Sequence, residues 1–209
     1  MLAACTRRCR CALVPIAFAL ASVSVGCVSM TPVGPLSIDE LPEVSPRGTA
    51  WVHDVDISEA NVMFEESRTD ELSRNIRDYL LAAQYFDDVQ AAPGDYGSDD
   101  WVLRFAFQQL DVVRKPDPKY FPLALLTATI YIFANGDIYN DVSEIRGTLS
   151  IEDAHGKRIS AVEESVSMLK KVGLYNAEYA APDMTTALTQ AVRSLMDKAL
   201  SGAETQDGS

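Results

Sequence analysis

Alternation is the plainest signal in this chain. Trp101, Leu103, Phe105 and Phe107 interleave with Val102, Arg104, Ala106 and Gln108, a period of two that predicts a half-buried strand. Leu110 and Val112 resume the alternation on the opposite parity, which places a β-bulge near Gln108 and Gln109. A hairpin is predicted from strands over 142–153 and 158–170, joined by Ala154, His155, Gly156 and Lys157. Ile145, Gly147, Leu149 and Ile151 mark one face of its first arm, and Gly156 supplies the positive φ of a tight turn. An opening strand is expected over 49–56 with Trp51, His53 and Val55 on one face, and a short strand is expected after 84–89.

Two stretches carry the helical period instead. Ser67, with Asp70 three residues on, reads as a cap for a helix in which Leu72, Ile76, Tyr79, Leu80 and Ala83 recur on one side. Pro182 and Asp183 read as the start of a second helix, striped by Met184, Ala187, Leu188, Ala191, Val192, Leu195 and Ala199. The order strand, helix, strand, strand, hairpin, helix predicts an α/β (α+β) fold: a mixed or antiparallel sheet of about five strands with two helices on one face.

The ends of the chain read differently. Residues 1–26 hold Arg7, Arg8 and Arg10, then an uncharged run over 11–26 ending in Val23, Ser24, Val25 and Gly26, directly before Cys27. A basic start, a short apolar run and a small residue at the cut describe a secretory signal. With a cysteine next, it resembles a bacterial lipoprotein signal, though Ser24 stands where that signal usually has Leu. The resemblance implies that 1–26 is removed and that the Cys27 thiol is diacylated. Val28 after Cys27, where an Asp would retain the protein at the inner membrane in enterobacterial sorting, implies the periplasmic face of the outer membrane. The other reading is an uncleaved inner-membrane anchor, although 16 residues fall short of the ~20 that a spanning helix needs. Residues 27–48, with Pro32, Pro35, Pro42 and Pro46 and no hydrophobic period, are expected to form an extended tether. The α/β domain is expected over 49–200 and a small, polar, disordered tail over 201–209.

Composition then narrows the chemistry. The net charge is −12, and removing three arginines with 1–26 takes it to −15, which disfavours nucleic acid and anionic membrane surfaces and favours basic partners. Cys5, Cys9 and Cys11 leave with the signal and Cys27 carries lipid, so no disulfide is expected. Only His53 and His155 could serve as imidazole ligands or bases, and no zinc, Gly-rich phosphate or nucleophile-elbow motif accompanies them. The acidic pairs Asp54/Asp56, Asp87/Asp88 and Asp99/Asp100 lack the spacing of a calcium loop. No catalytic residue, metal or cofactor is expected.

One segment resists a simple domain. Arg114, Lys115, Lys119, Tyr120, Phe121 and three prolines precede an uncharged run over 123–135. Three readings are open: a buried core strand or helix centred on 127–133, a membrane-interfacial segment, or a protein-binding patch. In the interfacial reading Lys119, Tyr120 and Phe121 meet headgroups while Leu123, Leu125, Leu126 and Ile130 dip below.

Glu71 and Leu72, the phrase Leu80-Leu81-Ala82-Ala83-Gln84-Tyr85-Phe86-Asp87-Asp88-Val89, then Asp100-Trp101-Val102-Leu103, together resemble a pattern of small envelope lipoproteins. Leu149 to Ile159 resembles their strand, Asp, Gly-Lys, strand hairpin. Such domains occur in auxiliary lipoproteins of ABC-type transport systems and, more distantly, in the amino-terminal domain of TolB and in curli-secretion lipoproteins. The resemblance implies a lipid-anchored, non-catalytic periplasmic accessory in envelope assembly or transport, with an envelope protein as partner. Two alternatives are a periplasmic hydrolase or ligand-binding protein with an acidic loop site near His53, Asp54, Asp56 and Glu65, and a purely structural envelope lipoprotein.

Overall fold

The computed structural model describes residues 34–38, 45–57, 66–127, 130–176 and 184–207. Among them the chain runs β1 (Thr49–Val52), α1 (Glu66–Ala82), β2 (Asp88–Ala91), β3 (Trp101–Pro116), α2 (Tyr120–Leu126), α3 (Ile130–Phe133), β4 (Asp137–Asp153), β5 (Arg158–Gly173) and α4 (Thr185–Asp207). The five strands form one sheet in the order β2-β1-β3-β4-β5. β1 lies parallel to both β2 and β3, and β3, β4 and β5 form an antiparallel meander, so the sheet is mixed. A parallel β1–β2 pair needs a crossover, and α1 is that connection.

The predicted bulge is present. The β3–β4 register shifts between Phe107 and Gln109, so that Leu103, Phe105, Phe107, Leu110 and Val112 all turn to the same buried face. They meet Ile145, Leu149 and Ile151 of β4, Leu72, Ile76, Tyr79 and Leu80 of α1, and Leu188, Val192, Leu195 and Met196 of α4 in a single core. Each fully buried side chain of this size contributes roughly 1.5–3 kcal/mol. Gly147 of β4 lies opposite Phe107, where a Cβ would come within 2.6 Å of the ring, so the missing side chain lets Phe107 lie across the neighbouring strand. The β4–β5 turn has Gly156 at φ +79°, and the Asp153 carboxylate accepts the backbone N–H groups of His155 at 2.9 Å and Lys157 at 2.8 Å. Those two donors, that of Lys157 first, hold the Asp153 pKa below its usual value.

Several expectations need correction. β1 ends at Val52 and buries Ala50 and Val52; Trp51 faces the other way, where its Nε1–H donates to Asp100 at 2.7 Å and its ring meets Tyr96 edge-on at 5.4 Å. The 94–100 loop half-covers this outer face through Gly94, Tyr96 and Asp100, so an aromatic residue there does not mark the inner side. Ser67 lies inside α1, which starts at Glu66. The hairpin is longer than expected at its open end, beginning at Asp137 and ending at Gly173. The expected disordered tail is helical to Asp207, because Leu200 and Ala203 continue the buried stripe of α4. Residues 34–38 belong to the domain and not to a free tether: Leu36 is buried, Asn75 Nδ2 donates to the Gly34 carbonyl at 3.0 Å and the Ser37 N–H donates to Thr189 Oγ1 at 3.2 Å. Residues 45–48 are also engaged, with Arg47 over the Trp101 ring at 5.5 Å and its N–H on the Tyr85 carbonyl. The signal, Cys27 and the Pro182–Asp183 start of α4 lie outside the described residues.

Candidate contact surface at the tip of the meander

The strands β3, β4 and β5 run on past the helices that cover the core, and at their far end the β3–β4 connection folds into α2 and α3. Pro116 and Pro118 lack an N–H, so the ladder stops there. Asp117, buried between them, donates its N–H to the Ile138 carbonyl at 2.8 Å and accepts the Lys119 N–H on its carboxylate at 2.7 Å, which turns the chain into α2. Thr127 links the two short helices: its hydroxyl donates to the Leu123 carbonyl at 2.7 Å and accepts the Tyr131 N–H at 3.1 Å. Tyr131 packs over Gly136 and donates its hydroxyl to the Asp137 carbonyl at 3.2 Å. Asn135, at φ +57°, accepts the Tyr175 N–H at 2.8 Å and reaches Asn176 at 3.1 Å, which stitches this connection to the turn after β5.

What this scaffold presents is apolar. Phe121 is 66% exposed, Leu125 and Leu126 81%, Ile130 68% and Phe133 73%, with Tyr175 and Leu169 alongside on β5 and its exit turn. Five of the nine exposed large hydrophobic side chains among the described residues sit on α2 and α3, and Tyr175 is tied to the same connection through Asn135, so they form a patch and not the usual scatter. The core reading of 121–135 is therefore overturned: the segment is helical over most of its length and turned outward, because seven- and four-residue helices cannot hide a side chain on every face. Of the expected contact residues, Lys119, Phe121, Leu125, Leu126 and Ile130 are exposed together, while Tyr120 is half-buried edge-on to Phe121 at 5.2 Å and Leu123 is half-buried. Phe133, Leu169 and Tyr175 were missed. The pairing of Asp137 with Gly173 and the Tyr175 N–H on Asn135 bring Tyr175 here, which a hairpin ended at 170 does not show; Leu169 lies opposite Val142, lower on the sheet.

The base of the tip is charged. Arg114 and Asp141 face each other across β3 and β4 in a bidentate pair, Nε to Oδ1 and Nη2 to Oδ2 both at 2.7 Å, with the carboxylate 1% and the guanidinium 12% exposed. The guanidinium also stacks on Tyr139 at 5.2 Å. Lys171 donates to Asp137 at 3.1 Å, and this raises its pKa. Among the described residues of the tip, Arg114, Lys115, Lys119, Lys170 and Lys171 outnumber Asp117, Asp137 and Asp141 by five to three, a charge of +2 on a chain of −12.

The other sequence candidates do not converge. His53 has its Nε2 buried without a hydrogen-bond partner, and burial, then the nearby Arg104 charge, push its pKa below the ordinary value. Asp56 pairs through its backbone with β3, and the Asp100 carboxylate is taken up by Trp51 and the Gly97 N–H. His155 lies exposed in the β4–β5 turn. A groove of about 460 Å³ runs along α4, lined by Ser37, Tyr79, Thr189, Arg193, Asp197 and Lys198; the Asp197 carboxylate accepts the Tyr85 hydroxyl at 2.7 Å, and neither His53, Asp54 nor Asp56 reaches it. Among the described residues no group of three His, Cys, Asp or Glu side chains is placed to hold a metal ion, and no helix is long and apolar enough to cross a membrane.

No protein-family model matches this chain, and no curated protein matches it. Among solved structures it is similar to a DUF330-family protein of Xanthomonas campestris, at 10% identity over 80% of this chain and 93% of that one, with a TM-score of 0.44. It is also similar to a minor lipoprotein of Acinetobacter baumannii, at 15% identity over 75% and 89% of the two chains, and to rare lipoprotein B of Shewanella oneidensis, at 11% identity over 76% and 96%; both have a TM-score of 0.35.

Proposed function

We propose that this chain is a lipid-anchored accessory protein of the bacterial envelope, held at a membrane through Cys27 and working by contact at its apolar tip, not by catalysis. The observation that carries the reading is the clustering of Phe121, Leu125, Leu126, Ile130 and Phe133 on α2 and α3, at the end of an arm that the core does not need for its own closure. An exposed patch of this kind on an acidic protein marks a surface that something else covers. Export and diacylation at Cys27 place that surface in the periplasm, and Val28 favours the outer membrane over the inner. A protein partner in envelope assembly or transport would then be met at the membrane and not in solution.

Intact-mass measurement on protein from membranes tests the anchor. The expected species starts at Cys27, carries a lipid-sized increment and is lost in Cys27→Ala. An unmodified chain that still holds residues 1–26 overturns the reading. Density-gradient separation of the two membranes then decides between inner and outer sites.

A further inference from the structure

We infer that α2 and α3 insert into the interface of the same leaflet that carries the lipid on Cys27, so that the domain is held to the bilayer at two points. The second point rests on the anchored reading above; the first stands on the tip itself. Three observations select a bilayer as the occupant.

The tip has the layering of an interfacial segment. Phe121, Leu125, Leu126, Ile130 and Phe133 project at the extremity, and Tyr120, Tyr131, Tyr139 and Tyr175 lie at or behind them. Lys119 stands at the start of α2, and Lys115, Lys170 and Lys171 lie on the outer rungs of the sheet behind it. Aromatic rings with one polar end and long cationic stems suit the headgroup zone, with aliphatic side chains below. The charge of +2 on the described residues of the tip has the sign that anionic headgroups attract, whereas the chain as a whole, at −12, is repelled by them.

The path of the chain fits as well. Lys198 of α4 pairs with Glu164 of β5, and Gly202 approaches Ser160, so α4 runs antiparallel to β5 and its start points towards the tip. Thr185 lies 13 residues before Lys198, about 20 Å along the helix, which is level with about residue 170 of β5. Gly34 sits against Thr185. Cys27 is seven residues upstream of Gly34, a reach of at most about 25 Å. From the level of residue 170, the opposite end of the sheet at Arg158 is about 40 Å away at 3.3 Å per residue. A lipid on Cys27 therefore reaches a bilayer at the tip end of the domain and not one at the β4–β5 turn.

The test uses the mature lipoprotein in vesicles of phosphatidylethanolamine and phosphatidylglycerol, with one nitroxide label on Leu125→Cys or on Glu163→Cys, the latter on the open face of β5. With 1–26 removed and Cys27 acylated, the introduced thiol is the only one. The label at 125 is expected to be at least tenfold less accessible to a water-soluble nickel chelate than the label at 163, and more accessible to oxygen. Equal access to the chelate in vesicle-bound protein overturns the inference and leaves the anchor intact. A second measurement separates the two ideas from the other side. A chain starting at Val28 keeps every core residue and has no lipid; it should float with the same vesicles, and Leu125→Ser/Leu126→Ser/Ile130→Ser should float at least tenfold less. If the Val28 chain stays in solution, alone or as a dimer that the triple variant disperses, insertion is refuted and the patch belongs to a protein or to a second copy. If Cys27 proves unacylated, flotation of the Val28 chain alone decides insertion.

Discussion

Arg114 and Asp141 stand where the main core ends and the tip begins, and the pair can be cut from either side. Arg114→Met leaves a carboxylate with 1% exposure and without the guanidinium that met both its oxygens at 2.7 Å. Removing one member of a buried pair costs about 3–5 kcal/mol, because the charge left behind stays out of water. Asp141→Asn leaves a guanidinium at 12% exposure, on a stem that can lean towards solvent, so its cost belongs at the low end of that range. Arg114→Met/Asp141→Leu removes both charges and keeps apolar volume; it should lie within about 2 kcal/mol of the parent. Urea denaturation of the chain from Val28, followed by far-ultraviolet circular dichroism, reads these differences as midpoint shifts at constant slope. The double variant should be more stable than either single one. Single costs below about 1 kcal/mol, or a double variant equal to the sum of the singles, would refute the picture of a desolvated, mutually dependent pair.

Leu149→Ala, in the fully buried row of β4, should cost about 2–5 kcal/mol, while Leu125→Ser at 81% exposure should stay within about 0.5 kcal/mol by the same denaturation assay. Gly147→Ala should destabilise by about 1–3 kcal/mol, since its Cβ meets the Phe107 ring at 2.6 Å, and Phe107→Leu should recover part of that loss. The His53 pKa is lower in the folded than in the unfolded chain, so the unfolded chain binds the extra proton. This contribution is complete above the ordinary histidine value near 6.5 and is lost as pH falls below it, at no more than about 1.4 kcal/mol per pH unit. His53→Gln should flatten this part of the stability–pH curve measured by thermal unfolding.

Where residues repeat over several turns or rungs, the chain can be read directly. Leu103 to Val112 carries its own bulge in the parity change, Gly156 marks the hairpin turn, and Leu72 to Leu80 and Ala187 to Ala199 state their helical period. The inner side of β1 was not legible, because Trp51 on its half-covered outer face is as apolar as Ala50 and Val52 on the inner one, and the loop that packs on it comes more than forty residues later. The helical end of the chain was hidden by composition: Ala203 is small and its neighbours are polar, yet it falls on the α4 stripe. For 34–38, one buried leucine decides the outcome, and Leu36 stands alone among prolines and small residues. The tip was legible as unusual but not as exposed, because an uncharged run of this length reads alike for a buried strand and for two short outward helices.

The last shared row of the core is Val112, Ser143 and Met168; beyond it the meander continues for several rungs to Pro116, Asp137 and Gly173. Those rungs are held by backbone hydrogen bonds, the Arg114–Asp141 pair and a few covered side chains such as Ile138 and Val172. Free energy of opening follows local burial, so amide protons of these rungs should exchange well before those of Phe105, Leu149 or Ile76. With that order of exchange the molecule is a rigid block with a softer wrist, whose end surface can tilt to meet what it touches while the block behind it stays folded.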